Sequence, residues 1–451
     1  MNPHSTTYTG PEVTERFADF VAEATIGAEV ERAARRALVT ALPLAVGAVG
    51  QASPAATLRV ARRVGPTEGP ATVLGTSTTT SPALAALVNG TAANSDDFDD
   101  TDLQTQAHPS ASVVPAALAA AEHVGADLGA LLRAIAIGNE LATRSARTFG
   151  VAHTERGWHI SSTSNQVGAG AAAAALLGLS GTQGRMALGI SATQAGGIGA
   201  ALGSMVKPFH FGKAASNGVE AALLAGAGFS APLRGLEGRR GLLAVIAPHA
   251  SAETLVDGLG ERWHALEIMA KAYACGFVAH PSIDAAIELH ARIGDPAGIE
   301  QVEAHVHGLC VRLMDRPVPT SALEAKLSMQ HVIAHALRHG SLGLAAFEAD
   351  AIEDRATRDL AARITLVADR DATGTAEVIV HTVGGAERAE VREDGRGTPA
   401  RPLTDDEVRA KAIEAAARGI GADRAAALVD LCMFGSDDTP VGALTSAATP
   451  G

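Results

Sequence analysis

The chain has 451 residues, of which 47% are hydrophobic but only 3% are aromatic. A core of that composition is built from Ala, Leu, Val and Ile, which favours closely packed helices over a fold with aromatic layers. The formal net charge of −13 and the lack of a Lys/Arg-rich run exclude an extended nucleic-acid surface, and three scattered cysteines exclude a disulfide framework.

The chain shows no sign of export or membrane insertion. Its first ten residues are polar and lack the basic-then-apolar pattern of a signal peptide. The longest apolar run, near residues 37–50, is too short to span a bilayer. We therefore expect a cytoplasmic protein with neither a membrane nor a nucleic acid as partner.

Helical patterns dominate the first 265 residues. Ser-Pro pairs at 53–54 and 81–82 place an N-cap before a proline at the first helical position. A short strand is expected at 71–74. With the apolar period of 3.6 residues, the sequence predicts helices over residues 11–50 (as two helices), 54–63, 82 to 89 or 94, 110–124, 127–149, 164–177, 181–194 and 207–228.

The pattern changes near residue 265. Strands are predicted at 265–268, 302–313, 364–368 and 376–381, with helices at 281–292 and 321–337 between them, and the last helices cover 404–417 and 422–431. We predict a mainly α fold. A large all-helical domain would be built from both chain ends, residues 1–265 and 404–451, with a smaller α+β lid domain at 266–403.

The segment from Asn94 to Thr101 is the densest in reactive groups, with four carboxylates in five residues and His108 eight residues after Asp100. A solvated acidic loop is the ordinary interpretation of such a cluster. Here it lies between two apolar helices, which makes it a better candidate for chemistry. A Mg²⁺ site of the terpene-synthase kind is an alternative, but a second metal motif is missing and aromatic residues to line a carbocation pocket are few.

Two further motifs have simple explanations. Residues 168–173 match G-x-G-x-x-A, but no apolar strand precedes them and no acidic residue follows about 20 positions later, so close helix packing explains them better. His331, His335 and His339 share one face of a predicted helix, which is metal-ligand spacing. No HExxH glutamate accompanies them, and we expect no metal site.

Three basic stretches form a more informative set: His159 after Gly157-Trp158, Lys207 with His210 and Lys213, and Lys271 with His280. Each alone could be a surface cation or a satisfied core histidine. Lysines with apolar neighbours, however, usually pair with an anion. A cleft that gathers Lys207, Lys271, His108 and His159 would suit a substrate with several carboxylates. The Asp97 region would supply a base or orient a histidine.

Several segments together resemble the MmgE/PrpD family, which includes 2-methylcitrate dehydratase, cis-aconitate decarboxylase and an iminodisuccinate epimerase. The resemblance rests on blocks that follow the family order along most of the chain, namely residues 89–101, 108–110, 157–159, 205–215, 236–238, 271–275, 280–285 and 324–328.

The resemblance implies a homodimer with a helical domain and an α+β lid domain, and a reaction that uses no metal or organic cofactor. It implies catalytic roles for Asp97, His108, His159, Lys207 and Lys271. Substrate-binding residues would be Thr101, His210, Lys213, Tyr273 and His280. The segment around Met314 departs from some members, which suggests a different substrate.

The expected function is a cofactor-independent lyase, a dehydratase or decarboxylase, acting on a small anionic di- or tricarboxylate such as 2-methylcitrate or cis-aconitate. An epimerase of a related dicarboxylate such as iminodisuccinate is the alternative, and a catalytically inactive binding protein is a third. In the mechanism that we expect, Lys207, Lys271 and His159 bind the substrate carboxylates, and His108, oriented by Asp97, is the general acid/base. Thr101 would hold a carboxylate or the leaving hydroxyl.

Overall fold

A computed structural model describes residue 10, residues 12–391 and residues 394–451. The rest of the polar N-terminal segment and the predicted helix start at Pro11 lie outside the described residues. The described chain is mainly helical with small sheets, as predicted. It divides into two compact units. The first contains residues up to 95, 99–268 and 406–451, and the second contains residues 96–98 and 269–405.

The first unit contains a bundle of helices and three very short strands. Its elements up to residue 268 are α1 (Val13–Glu23), α2 (Ala28–Ala48), α3 (Ala52–Val64), β1 (Ala71–Thr72), β2 (Thr79–Thr80), α4 (Pro82–Ser95), β3 (Asp100–Thr101), α5 (Ser110–Val124), α6 (Leu128–Glu155), α7 (Ile160–Leu176), α8 (Gly181–Thr193), α9 (Val206–Gly226), α10 (Leu242–Ile246) and α11 (Glu253–Val256).

The second unit is an α+β unit. Its elements are β4 (Met269–Ala270), α12 (His280–Ile293), β5 (Ile299–His307), α13 (Gly308–Met314), α14 (Ala322–Ala325), α15 (Met329–His339), α16 (Ala349–Glu353), α17 (Arg355–Ala361), β6 (Ile364–Arg370), β7 (Ala376–Thr382) and β8 (Gly385–Val391). The chain closes with α18 (Asp405–Ile420), α19 (Ala422–Phe434) and α20 (Val441–Ala447).

Helix α7 lies at the centre of the first unit, where it packs against α5, α6 and α9. Every residue from Ile160 to Ala174 is buried. Glycines let the backbones approach closely, since a Cβ on Gly168 would lie 2.4 Å from the Gly138 carbonyl oxygen of α6. A Cβ on Gly218 of α9 would lie 2.6 Å from the Gly170 nitrogen. The G-x-G-x-x-A motif is therefore a helix-packing motif, as the sequence predicts.

The C-terminal helices return to the first unit. A Cβ on Gly47 in α2 would lie 1.8 Å from the Ala415 carbonyl oxygen of α18, so these two helices are in backbone contact. Gly419 approaches the Val46 carbonyl oxygen in the same way. Residues from both parts of the sequence thus complete one helical core.

Strands β5–β8 form one sheet in the order β6-β5-β7-β8. β5 pairs parallel with β6 and antiparallel with β7, and β7 and β8 form a hairpin closed by Val383-Gly384. Val302, Ala304 and Val306 alternate as the buried positions of β5, and α12 packs against β7 and β8. The sequence analysis missed β8, because its exposed Ala386, Glu387 and Arg388 hide the alternating pattern.

Three predicted elements are wrong in part. The strand expected at 265–268 is replaced by a short 3₁₀ helix, His264–Glu267, because the Glu140 carboxylate accepts the backbone N–H of Ala265 at 2.9 Å. The strand expected to reach 313 ends at 307, where His307 caps α13 through the N–H of Leu309. The helix expected at 321–337 is two helices, because the Ser328 hydroxyl caps α15.

Among the described residues, no single helix combines the length and apolarity needed to cross a membrane. α2 and α3 meet those two conditions only as a pair bent by 79°.

Candidate active site

The acidic cluster is buried rather than solvated. Its four carboxylate residues are at most 7% exposed. Burying an unpaired carboxylate is very costly, so each one has a protein partner. The contacts join Asp96 to Lys326, Asp97 to Lys271, Asp99 to Asn94 and Asp100 to Ser110. The carboxylates therefore hold different parts of the protein instead of pointing at a common metal ion.

His108 is positioned by the strand that precedes it. Its Nδ1 lies 2.7 Å from the Asp100 carbonyl oxygen and 2.9 Å from the Thr101 hydroxyl. A carbonyl only accepts hydrogen bonds, so Nδ1 carries the proton and Nε2 is the nitrogen that gains and loses one. Thr101 thus contacts the His108 ring, although the sequence analysis predicts that it holds substrate. Asp100 and Thr101 orient Nδ1, and the sequence analysis assigns this role to Asp97.

The backbone of His108 is fixed as well. Its N–H donates to the Ser161 hydroxyl at 3.0 Å, and its carbonyl accepts from the Asn165 amide at 2.8 Å. Both partners lie in the first turns of α7. The Asp99 carboxylate lies 3.9 Å from Nδ1 and stabilises a positively charged ring.

Asp100 is a functional neighbour that sequence reasoning missed. Its carboxylate accepts the N–H of Ser110 at 3.2 Å and the Ser110 hydroxyl, and so caps the N-terminus of α5. Asn139 donates to the same hydroxyl. Burial, opposed by the Ser110 hydrogen bonds, raises the pKa of Asp100 to about 7. The signal was available, since Ser110 is the first residue after the His-Pro pair that precedes α5.

His159 and His210 form a pair of neutral imidazoles. Their Nδ1 atoms are 2.9 Å apart. Burial first, then the charges of His210 and Lys207, lower the pKa of His159 well below its usual range, and burial lowers the pKa of His210. Near neutral pH, His159 is therefore a neutral hydrogen-bonding group, and its binding of a substrate carboxylate stays a prediction.

The N-terminal turns of three helices meet at these histidines. His108 precedes α5 and contacts Ser161 in α7, while His159 precedes α7 and contacts His210 in α9. The Phe211 ring meets both His108 and His159 edge-on, with ring centroids 5.9 and 5.7 Å away. Helix N-termini carry partial positive charge, so this arrangement favours an anion.

The two lysines of α9 differ. Lys207 is half-buried in the first turn, and its charge acts on His159. Lys213 is exposed, on the solvent side of the helix. Lys207 is therefore the α9 lysine placed with the histidines.

The remaining predicted residues lie in the second unit. Lys271 is 1% exposed and its ammonium donates to Asp97 at two atoms, the carboxylate at 2.7 Å and the backbone carbonyl at 3.0 Å. Tyr273 donates to Asp284 at 2.6 Å, and its ring meets that of His280 at 5.1 Å. The ammonium of Lys271 is thus paired with the Asp97 carboxylate, and the Tyr273 hydroxyl donates to the Asp284 carboxylate.

Met314 packs beside this segment. It is fully buried at the end of α13, and a Cβ on Gly276 would lie 2.8 Å from its sulfur. The burial of the adjacent Cys275 raises the pKa of its thiol, so that thiol stays protonated. Met314 thus places an apolar thioether, and no polar group, beside Gly276.

The histidine stripe of α15 does not form a metal site. His331 and His335 use ring nitrogens on the carbonyl oxygens of Ala346 and Ser341. No group of three His, Cys, Asp or Glu side chains within residues 12–391 and 394–451 has metal-ligand geometry.

Two family models together match most of this chain. Residues 15–255 match the model of the MmgE/PrpD N-terminal domain, and residues 273–433 match that of the MmgE/PrpD C-terminal domain. The chain is 28% identical over 389 residues to the cis-aconitate decarboxylase-like protein oryM of Aspergillus oryzae, covering 79% of this chain and 80% of that protein.

Two cis-aconitate decarboxylases are similar at the same level. The mouse enzyme is 29% identical over 350 residues, which cover 73% of this chain and 71% of that enzyme. The Aspergillus terreus enzyme is 29% identical over 328 residues, or 66% of each chain. The chain therefore belongs to the MmgE/PrpD family and is a lyase of its dehydratase and decarboxylase type.

Proposed function

We propose that this protein decarboxylates or dehydrates a small di- or tricarboxylate by acid/base chemistry of its own side chains, without a cofactor, with cis-aconitate as the first candidate substrate. The proposal depends chiefly on one observation. The Asp100 carbonyl fixes the His108 proton on Nδ1, which leaves Nε2 as the proton-transferring atom. The names of the related decarboxylases support the substrate class.

The substrate carboxylates would be bound by Lys207 and by the N-terminal turns of α7 and α9. His159 adds a neutral hydrogen bond, whose strength does not change as the pH passes through 7 because its pKa is low. A mixture of one full charge and several oriented dipoles binds an anion without the desolvation cost of many buried cations.

In the decarboxylation, the bond between a carbon and its carboxylate breaks, and carbon dioxide leaves. The electron pair stays on the substrate, delocalised towards a remaining carboxylate. Protonated His108 then donates its Nε2 proton to carbon, and solvent restores that proton. In a dehydration, the neutral ring instead removes a proton next to a carboxylate, and hydroxide leaves with a proton as water.

Proton NMR of the purified protein in D₂O tests the proposal, with cis-aconitate, 2-methylcitrate and iminodisuccinate in separate tubes. We expect new alkene signals with deuterium in the product, and their loss in His108→Gln. Deuterium exchange without elimination would overturn the lyase in favour of an epimerase. Unchanged spectra in all tubes would overturn the substrate class.

A further inference from the structure

Residues 96–98 form a short segment that belongs to the second unit, although the residues on both sides of it belong to the first. Two buried ion pairs hold it. Lys271 binds Asp97, as described above, and the Lys326 ammonium binds the Asp96 carboxylate at 3.1 Å. The family resemblance implies catalytic roles for Asp97 and Lys271, but the Asp96–Lys326 pair has no role so far.

The backbone of Asp97 is strained. Its φ of 53° lies in the left-handed region, which is uncommon for a residue other than glycine. Such a conformation is unfavourable for a residue with a side chain and persists only where the surroundings impose it. Lys271 fixes the peptide on the C-terminal side of Asp97 through its carbonyl oxygen. Asp96 is the residue on the N-terminal side, so its ion pair fixes the other end.

The two lysines belong to one frame. The Lys326 carbonyl accepts the N–H of Gly276, five residues after Lys271, at 3.0 Å. Cys275 is close enough to all three groups that the charges of Lys271, Asp97 and Lys326 influence the pKa of its thiol, after the larger effect of burial. The Phe347 ring, 5.8 Å from the Lys326 ammonium, adds a cation–π contact. The Gly276–Lys326 hydrogen bond therefore joins the segments that carry the two lysines.

Stability alone does not explain the Asp96–Lys326 pair. Both side chains are at most 6% exposed. A pair so deeply buried contributes little net stability, because desolvation offsets the attraction, and apolar replacements of both partners are often neutral. Breaking it by removing one partner, in contrast, leaves an uncompensated charge.

We propose that Lys326 and Asp96 are positioning residues of the reaction, which hold the strained Asp97 so that its carboxylate and Lys271 keep their geometry. Lys326 itself touches no substrate in this role. The inference rests on the proposed function only in that Asp97 and Lys271 take the catalytic roles that the family resemblance implies.

The test compares Lys326→Met, Asp96→Asn and the double variant with the wild type. We expect Lys326→Met to lower kcat by about 10- to 100-fold with little change in KM, since small displacements of catalytic groups have effects of this size. The double variant removes both charges, so its thermal midpoint should recover while its kcat stays low. Recovery of kcat together with stability would show a structural role only, and overturn the proposal.

Hydrogen exchange measured by mass spectrometry gives a readout that needs no substrate. The peptide that contains residues 96–98 should exchange faster in Lys326→Met and in the double variant. Glu377→Gln is the control, because it breaks the Arg370–Glu377 pair in the sheet of the same unit. It should leave that peptide and kcat unchanged.

These two readouts separate the two proposals. If the wild type converts none of the carboxylates, the proposed function fails, and the exchange data still decide whether Lys326 fixes the segment. Unchanged exchange in a folded Lys326→Met protein overturns the positioning role whatever the activity. If Lys326→Met does not fold, kcat and hydrogen exchange are both measured on the double variant.

Discussion

At the residue scale, side chains of the same type have different roles because their neighbours differ. His108 has a carbonyl acceptor on Nδ1 and a carboxylate nearby, which suits a residue that changes its charge during turnover. His159 is buried, and burial first, then the neighbouring imidazole of His210 and the charge of Lys207, lower its pKa and keep it neutral. We therefore expect the two histidines to have different roles in the reaction.

Replacement of His108 by glutamine should remove proton transfer while keeping a polar side chain of similar size. We expect kcat to fall by about 10²- to 10⁴-fold, with KM changed by only a few-fold. Steady-state kinetics on the substrate identified by NMR would measure both constants, and a thermal midpoint close to that of the wild type would control for folding. An unchanged kcat with a raised KM would show that His108 binds substrate and does not transfer the proton.

His159 should remain neutral at pH 7. Its lowered pKa means that its ring titrates only at more acidic pH than a free imidazole. Nitrogen NMR of histidine-labelled protein reports the state of each ring, with His159→Gln to assign the signal. Imidazolium shifts for His159 at pH 7 would contradict the neutral pair.

Asp100 should make stability depend on pH in an unusual direction. Its folded pKa of about 7 lies above the ordinary value of 3.8, so the folded state holds the proton more tightly than the unfolded state. Its contribution to stability is complete below about pH 4 and is lost as the pH rises towards 7. Between pH 5 and pH 8, the thermal midpoint of the wild type should therefore fall relative to that of Asp100→Asn. A constant difference would show that the pKa of Asp100 is not raised.

At the element scale, the helices that position the site cross at glycines. Helix α9 carries Lys207 and His210 in its first two turns and packs closely against α4. A Cβ on Gly212 would lie 2.1 Å from the Leu87 carbonyl oxygen, which is a backbone atom that cannot move aside. The distance between these two helices, and with it the position of the site residues, depends on this glycine.

Gly212→Ala should therefore destabilise the protein by about 1–3 kcal/mol, as overpacking usually does. Gly226→Ala at the end of the same helix is the matched control, because the nearest neighbouring atom to its Cβ would be a Leu179 methyl carbon at 3.6 Å. That change should be neutral or stabilising, since alanine favours helix over glycine. Thermal unfolding of both variants measures the difference, and equal midpoints would show that the α4–α9 crossing tolerates a methyl group.

At the scale of the whole molecule, burial protects the three cysteines. Cys275, Cys310 and Cys432 are at most 1% exposed. Burial raises the pKa of all three, to about 11 for Cys310 and about 12 for Cys432. A thiol reagent needs both access and the thiolate.

The native protein should therefore react with Ellman's reagent only as fast as it unfolds, and the denatured protein should show three thiols. The rate of labelling against temperature checks this. Rapid labelling of one thiol in the native state would reveal local opening around it.

The sequence predicts the mainly α fold and most helices, since the apolar period and the Ser-Pro starts are local signals that survive in the packed state. Some of its errors come from local caps, but one occurs where a distant side chain binds a backbone group. Glu140 binds the N–H of Ala265 from 125 residues away, and a short 3₁₀ helix replaces the predicted strand. Such competition has no local signature.

The candidate residues were predictable by type and by family resemblance, because reactive groups in apolar surroundings are rare. Their roles were less predictable. Which residues contact Nδ1 of His108 depends on distances of a few ångströms, which the sequence does not contain. Lys326, which the sequence analysis missed, lies 230 residues from its partner Asp96. Composition and spacing give the inventory of groups and not their pairing.

By itself, then, the sequence determined the helical core, the α+β segment, the family and the candidate set of acids, histidines and lysines. Only the tertiary structure decided which carboxylate meets which cation, which histidines are neutral, and that Asp97 is held in a strained conformation. The reason is physical. Periodicity and capping act over a few neighbouring residues, whereas charge state and pairing depend on burial and on partners that folding brings from distant parts of the chain.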